Sequence, residues 1–218
     1  MTAFAVAVLS GCLTWALMVR GRRAGAARRH RKMARHPMPT FVFADLVGYT
    51  TLTERCGDET AVRVAREFRR VMSMLSRQHG AWHVKSMGDG AMIWVPDAEQ
   101  AVALVERTLI EVGTRPDLLP VRVGAHTGPA VMCEDDWYGG AVNVAARLAG
   151  AAEPNEALVS DATHAAAGAR ARRTLRRRDV VGLRGMGQPV GVWPLAAQRR
   201  DDALRHEHAL IAIIHGTR

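Results

Sequence analysis

The chain has 218 residues, of which 48% are hydrophobic, so it can bury a sizeable core and is not a disordered polypeptide. Its three cysteines follow no disulfide or metal-binding pattern, which excludes a disulfide scaffold and fits a reducing compartment. The formal net charge is +9, but eight basic residues lie in one acid-free stretch between Arg20 and Arg35. The rest of the chain is therefore nearly neutral, which excludes a basic nucleic-acid-binding domain.

The first segment, Thr2–Val19, is uncharged and directly precedes the basic stretch. A cleaved signal peptide carries its positive charge before the apolar run, so we predict an uncleaved transmembrane anchor over residues 1–20. Residues 21–39 would form a basic juxtamembrane linker that contacts anionic lipids or acts as a disordered tether. Because basic residues that flank a membrane span stay in the cytoplasm, the basic stretch predicts a single-pass protein of the cell membrane with a cytoplasmic domain. The alternative is a buried or interfacial helix, because the run contains polar and small residues: Ser10, Gly11 and Thr14.

Residues 40–196 are predicted to form one domain, and residues 197–218 a C-terminal tail that is a helix on the domain, a dimer contact or loose. Apolar periodicity and turn residues predict a strand, a helix, a two-stranded hairpin, a helix and a strand, in the order Thr40–Asp45, Thr50–His79, Trp82–Trp94, Ala98–Val112 and Val121–His126. This order is typical of the α+β class with a ferredoxin-like (split βαβ) fold, an antiparallel sheet with two helices on one face.

The hairpin turns at Gly88-Asp89-Gly90, and Lys85 stands beside the turn. Lys85 is one of only two lysines among 30 basic residues. A chain that otherwise uses arginine indicates that position 85 requires a compact ammonium group rather than a planar guanidinium. The alternative is an ordinary solvated lysine on a hairpin.

Asp45 and Asp89 are predicted to converge, because the first strand of this fold lies mid-sheet and antiparallel to the third. Two carboxylates at adjoining strand ends repel each other unless a cation lies between them, and such ligands suit Mg²⁺ or Mn²⁺ with phosphates completing the shell. Gly48 exposes backbone N–H groups next to Asp45. Each Asp alone would be a capping or turn residue, but together they predict a site for a metal-bound triphosphate.

A second group follows the Gly139-Gly140 pair, where the pattern becomes helical. Asn143 and Arg147 are four residues apart and share one helix face. Such a pair can hold a ribose and meet charge that develops on a phosphate. The alternative is an ordinary surface pair on a helix of small residues.

Four segments together resemble the class III adenylate and guanylate cyclases: Phe43–Thr50, Lys85–Asp89, Arg122–Gly128 and Asp136–Leu148. The resemblance covers about Thr40–Leu195, and four motifs in this order and spacing are specific although each alone is weak.

The resemblance implies attack of the ribose 3′ oxygen on the α-phosphorus of a nucleoside triphosphate, with departure of pyrophosphate. It implies two Mg²⁺ or Mn²⁺ ions per active site and no base from a protein side chain; His126 is interpreted as a packed residue. The implied roles are metal binding for Asp45, Asp89 and the Leu46 carbonyl, base recognition for Lys85 and Asp136, catalysis for Asn143 and Arg147, and phosphate binding for Gly48, Arg122 and Arg184. At Arg184 the family often has a lysine, and Leu183–Gly187 follows the family pattern only loosely.

The proposed base readers favour adenine. Adenine offers a ring-nitrogen acceptor beside an amino donor, which complements the Lys85 donor and the Asp136 acceptor, whereas guanine reverses this demand. Asp135 is adjacent, but the family spacing to Asn143 selects Asp136. ATP is therefore the predicted substrate.

The resemblance further implies a head-to-tail homodimer, in which each site takes its metal carboxylates from one chain and its base and ribose residues from the other. The predicted function is an adenylate cyclase. The alternatives are a guanylate cyclase, a catalytically silent nucleotide-binding signalling module, and an RNA-binding ferredoxin-like domain. The near-neutral charge of the domain argues against RNA binding.

Overall fold

The computed structural model describes Met33, residues 35–196 and Ile213. The chain divides into two units, Met1–Pro37 and Met38–Arg218. In the first unit, the backbone N–H of His36 donates to the Met33 carbonyl at 3.0 Å. The second unit contains the predicted domain.

Nine strands and five helices lie between Thr40 and Ala196. The strands are β1 Thr40–Leu46, β2 Trp82–Met87, β3 Gly90–Val95, β4 Val121–Thr127, β5 Val131–Cys133, β6 Asp136–Tyr138, β7 Glu156–Ser160, β8 Asp179–Val181 and β9 Val190–Ala196. The helices are α1 Tyr49–Gln78, α2 Ala98–Gly113, α3 Gly140–Ala151, α4 Asp161–Ala166 and α5 Ala169–Arg172.

Seven strands form one sheet in the order β2-β3-β1-β4-β7-β9-β8. Its first four strands have the predicted plan, because β1 is central and antiparallel to both β3 and β4. The sheet then continues through β7, which pairs with β4 in parallel. Strands β5 and β6 form a separate two-stranded hairpin. The predicted α+β class with an antiparallel-rich, ferredoxin-like sheet is confirmed.

The main core lies between the sheet and helices α1 and α2, which share one face as predicted. Alternate residues of β1 point into it, and α1 contributes an apolar stripe: Val64, Phe68, Val71, Met72 and Leu75. Helix α1 is interrupted at Gly57, whose φ of 79° is not helical. Ile213, the one described residue of the predicted tail, is 4% exposed and belongs to the same core.

The helix predicted after the Gly139-Gly140 pair is α3, and it covers the opposite face of the sheet, a location that the predicted ferredoxin-like plan did not give. It packs directly over Gly124 of β4, where a Cβ atom would overlap the backbone of Ala145 and Ala149. The absence of a side chain at Gly124 therefore permits the close approach of α3 to the sheet.

The prediction of a single-pass membrane location is corrected. Among the described residues, no helix is both long and apolar enough to cross a bilayer. Helix α1 has the length, at 30 residues, but it is amphipathic and its exposed side is rich in charged residues. The predicted anchor over residues 1–20, and most of the linker predicted to contact lipids, lie outside the described residues.

We expect Gly124→Ala to lower the thermal unfolding temperature, because even one methyl group must push α3 away from β4. Inserting a methyl into a close-packed site costs about 1–3 kcal/mol. Gly150→Ala is the matched control, since Gly150 is exposed on the same helix with open space beside it. That change should leave the unfolding temperature unchanged or raise it slightly. Equal stability of Gly124→Ala and the wild type in a calorimetric scan would contradict this packing.

Candidate functional site

Asp45 and Asp89 lie at adjoining strand ends, as the fold predicts. Asp45 is the penultimate residue of β1 and is paired with Gly90, the first residue of β3. The Leu46 backbone N–H donates to the Asp89 carbonyl at 3.2 Å, which joins the end of β1 to the hairpin turn. The two carboxylates therefore belong to one small region of the surface.

Arg122 neutralises one of these carboxylates. It stands opposite Asp45 on β4, and its Nε and Nη2 both donate to Asp45 Oδ2, at 2.9 and 2.6 Å. Burial raises the pKa of Asp89, and the charge of Asp45 raises it further, while Arg122 partly opposes this. The site therefore contains one carboxylate paired with arginine and a second whose ionised form is disfavoured, so it can accept further positive charge.

The turn after β1 leads into the start of α1. Gly48 has a φ of 83°, in the left-handed region, and no side chain caps the helix. The Val47 N–H donates to the Pro120 carbonyl at 2.8 Å, which fixes the turn. A helix start of this kind can receive a phosphate on its backbone N–H groups.

The donor set fits Mg²⁺ or Mn²⁺ better than a zinc-type ion. Within the described part of the chain, no group of three or more His, Cys, Asp or Glu residues could hold a metal. Two carboxylates with backbone oxygens form an incomplete, all-oxygen set, which suits a hard cation that keeps water or substrate phosphate in its shell.

Lys85 and Asp136 form a direct pair. Lys85 Nζ donates to Asp136 Oδ2 at 2.5 Å, and this hydrogen bond lowers the pKa of Asp136. The other carboxylate oxygen of Asp136 accepts from the Trp137 N–H at 2.8 Å. Asp135 instead lies in the turn of the β5–β6 hairpin, with a φ of 64°. The structure thus places Asp136, rather than Asp135, against Lys85.

Trp137 fixes the hairpin that carries Asp136. Its ring packs edge-on against Phe41 at a centroid distance of 5.5 Å and stacks on Trp94 at 6.2 Å. Only 8% of Trp137 is exposed. These contacts lie on the α3 side of the sheet and hold Asp136 beside the edge strand β2.

Asn143 and Arg147 lie on α3, which begins after Gly139 at a φ of 140°. Asn143 is exposed and Arg147 is partly buried. A side chain at Gly185 would meet the Arg147 guanidinium at 3.3 Å, and the neighbouring Leu183 packs against α3. The loop of the exposed Arg184 therefore lies beside Arg147.

The structure brings the predicted residues together as two ion pairs and one helix face. Asp45 and Lys85 each have a partner, and that of Asp45 was not foreseen, because the register of β4 cannot be read from the motif. His126 is not part of these groups: its Nδ1 is hydrogen-bonded to Ser160 Oγ at 2.9 Å, and burial lowers its pKa.

A solved adenylate cyclase from Trypanosoma brucei has the same fold. It superposes with a TM-score of 0.66 over 75% of this chain and 91% of that chain, at 23% identity. The fold is thus that of the nucleotide cyclases. The family model described as the adenylate and guanylate cyclase catalytic domain matches residues 32–195, and the chain belongs to this family.

Curated relatives agree with this membership. The chain is 33% identical over 151 residues to a pH-sensitive adenylate cyclase of Mycobacterium tuberculosis, covering 66% of this chain and 37% of the relative. It is 31% identical over 146 residues to an adenylate cyclase of Glutamicibacter nicotianae, covering 66% of this chain and 36% of the relative. The chain thus spans little more than a third of their length, and the predicted family resemblance is confirmed.

The two carboxylates should differ in their effect on stability. Asp89→Asn removes a charge that is disfavoured in the folded chain, so we expect no loss of stability. Asp45→Asn weakens the ion pair with Arg122 and should cost up to about 1 kcal/mol, as is usual for partly exposed pairs. Both variants should bind Mn²⁺ more weakly than the wild type in a calorimetric titration. Unchanged Mn²⁺ affinity in both would contradict the metal assignment.

Proposed function

We propose that this chain is an adenylate cyclase domain, which converts ATP to 3′,5′-cyclic AMP and pyrophosphate in a homodimer with shared sites. The observation that supports it most is the Lys85–Asp136 pair, because it places a donor and an acceptor side by side in a member of the cyclase family. The alternatives are a guanylate cyclase and a catalytically silent nucleotide-binding module.

The pair accounts for a preference for adenine. The ammonium of Lys85 donates to a ring-nitrogen acceptor, and the carboxylate of Asp136 accepts from an amino group. Because the hydrogen bond from Lys85 lowers its pKa, Asp136 is ionised at neutral pH and can only accept. Guanine presents the opposite polarity at these positions, and unpaired polar groups make such a mismatch costly.

The remaining residues act on the ribose and the phosphates. Two Mg²⁺ or Mn²⁺ ions at Asp45, Asp89 and the Leu46 carbonyl would favour the 3′ alkoxide and neutralise the triphosphate. Asn143 orients the ribose, and Arg147 meets the negative charge that develops at the α-phosphate. The N–H groups after Gly48, together with Arg122 and Arg184, hold the distal phosphates.

Two copies of the chain are required if the metal carboxylates and the base-reading residues act on the same nucleotide. Lys85 and Asp89 flank the same turn, yet they serve the base and the phosphates, which are opposite ends of ATP. A twofold-symmetric pair solves this, because the carboxylates of one copy face Lys85, Asp136, Asn143 and Arg147 of the other. The presence of both metal carboxylates and of the Asn–Arg pair argues against a silent module.

Reversing the polarity of the base-reading pair should change the substrate. We expect Lys85→Glu with Asp136→Cys to lower the ATP-to-GTP ratio of kcat/KM. The side chain at position 85 would then accept a hydrogen bond from the base, whereas the lysine donates one. The matched control exchanges the exposed Arg107–Glu111 ion pair on α2 by Arg107→Glu with Glu111→Arg, and should leave the ratio unchanged. Retained ATP preference in the first variant would show that these residues do not select the base. GTP preference in the wild type would favour the guanylate cyclase alternative.

Complementation tests the shared site. Asp45→Ala and Asn143→Ala chains should each be inactive alone, whereas a mixed dimer collects both defects in one pocket and leaves the other intact. Random pairing of equal amounts makes about half of the dimers mixed, so about a quarter of wild-type activity should return. Asp45→Ala mixed with Asp89→Ala is the control, because both defects lie in the same half and no intact pocket forms. Inactive mixed dimers, verified by pull-down with two tags, would exclude shared sites.

A further inference from the structure

Strand β2 contains a β-bulge immediately before Lys85. His83 is paired with Ile93 and Lys85 with Met92, so Val84 has no partner on β3. One residue thus separates His83 from Lys85 on β2, while their partners Ile93 and Met92 are adjacent on β3. A bulge of this kind changes the direction in which the following side chains point.

The bulge determines the face on which Lys85 lies. In a regular strand, the side chains of residues two positions apart point to the same face, so the Lys85 side chain would point towards α1, as that of His83 does. Instead, His83 contacts Ser73 of α1, whereas Lys85 contacts Asp136 on the α3 side of the sheet. Without the bulge, the ammonium of Lys85 would point away from its partner.

His83 is bonded on both sides of the bulge. Its Nδ1 is hydrogen-bonded to Ser73 Oγ at 3.2 Å, and its Nε2 to Ser86 Oγ at 2.9 Å. Burial lowers the pKa of His83, and a hydrogen bond with the Lys85 backbone opposes this. A neutral imidazole has one donor and one acceptor nitrogen, and a serine hydroxyl can serve either role, so both bonds can form together.

We propose that His83 is a positioning residue for base selection: it ties α1 to both sides of the bulge at Val84 and thereby holds the Lys85 ammonium at Asp136. The role in selection rests on the proposed function, whereas the role in orientation does not. The nearest alternative is a purely structural bond between α1 and β2, which would affect stability alone.

The orientation can be measured without any activity, because the 218-residue chain has only two lysines, Lys32 and Lys85. Acylation by a small amine-reactive ester, followed by peptide mass spectrometry, reports the reactivity of Lys85 with Lys32 as internal reference. Release from Asp136 makes the amine more nucleophilic, and Asp136→Asn defines the size of that effect. We expect His83→Ala to raise the reactivity of Lys85 several-fold, towards the Asp136→Asn value.

The matched control is His79→Ala. His79 is the C-cap of α1 and is hydrogen-bonded to Gln100 at 3.3 Å. It is therefore a histidine close in sequence to His83 whose side chain contacts a different residue. Its removal should leave the reactivity of Lys85 at the wild-type value. Ser86→Ala removes only one of the two bonds and should give an intermediate increase, which keeps the test available if His83→Ala does not fold.

Kinetics then test selection. In His83→Ala, the ATP-to-GTP ratio of kcat/KM should fall about tenfold, equivalent to ~1.4 kcal/mol, with a larger change in KM than in kcat. His83→Gln, whose amide both donates and accepts, should restore part of the ratio. A lower unfolding temperature with unchanged Lys85 reactivity and unchanged ratio would overturn the proposal in favour of the structural alternative. Raised Lys85 reactivity in a chain without cyclase activity would uphold the orientation and reject the proposed function.

Discussion

The pairing of β1 on both of its edges determines where the chemistry of this domain can occur. Because β1 is antiparallel to β3 and to β4, its end meets the start of both neighbours, and Asp45 lies between Gly90 and Arg122. The hairpin turn with Asp89 follows from the same register. One central strand thus brings a carboxylate, a second carboxylate and a guanidinium to one edge of the sheet.

The two carboxylates at this edge of the sheet differ in how their negative charge is compensated. Arg122 contacts Asp45 directly, whereas Asp89 is disfavoured as an anion by burial and by Asp45. A cation that enters would therefore gain most at Asp89, and it would compete with Arg122 at Asp45. Arg122 would then be free to turn towards a phosphate, so its observed pairing and its proposed role would belong to different stages of binding.

Much of this arrangement could be predicted, and the exceptions have specific physical causes. The convergence of Asp45 and Asp89 followed from element order alone, since the split βαβ plan leaves one position for the first strand. The partner of Asp45 depended on the register of β4, which no local motif encodes. The location of α3 depended on one missing side chain at Gly124. The direction of Lys85 depended on a bulge that the period of β2 does not reveal.

Lys85, the proposed base reader, and Asp45, a proposed metal ligand, lie on strands that are constrained to different degrees. Asp45 lies on a strand bonded on both edges, whereas Lys85 lies on β2, an edge strand whose one neighbour among the described strands is β3. A one-residue insertion or deletion in β2 can reverse the side chains that follow it without disturbing β1 or β4. If Lys85 reads the base as proposed, descendants of such a chain could change their nucleobase preference and keep the same phosphate chemistry, because the edge of the sheet can diverge independently of its centre.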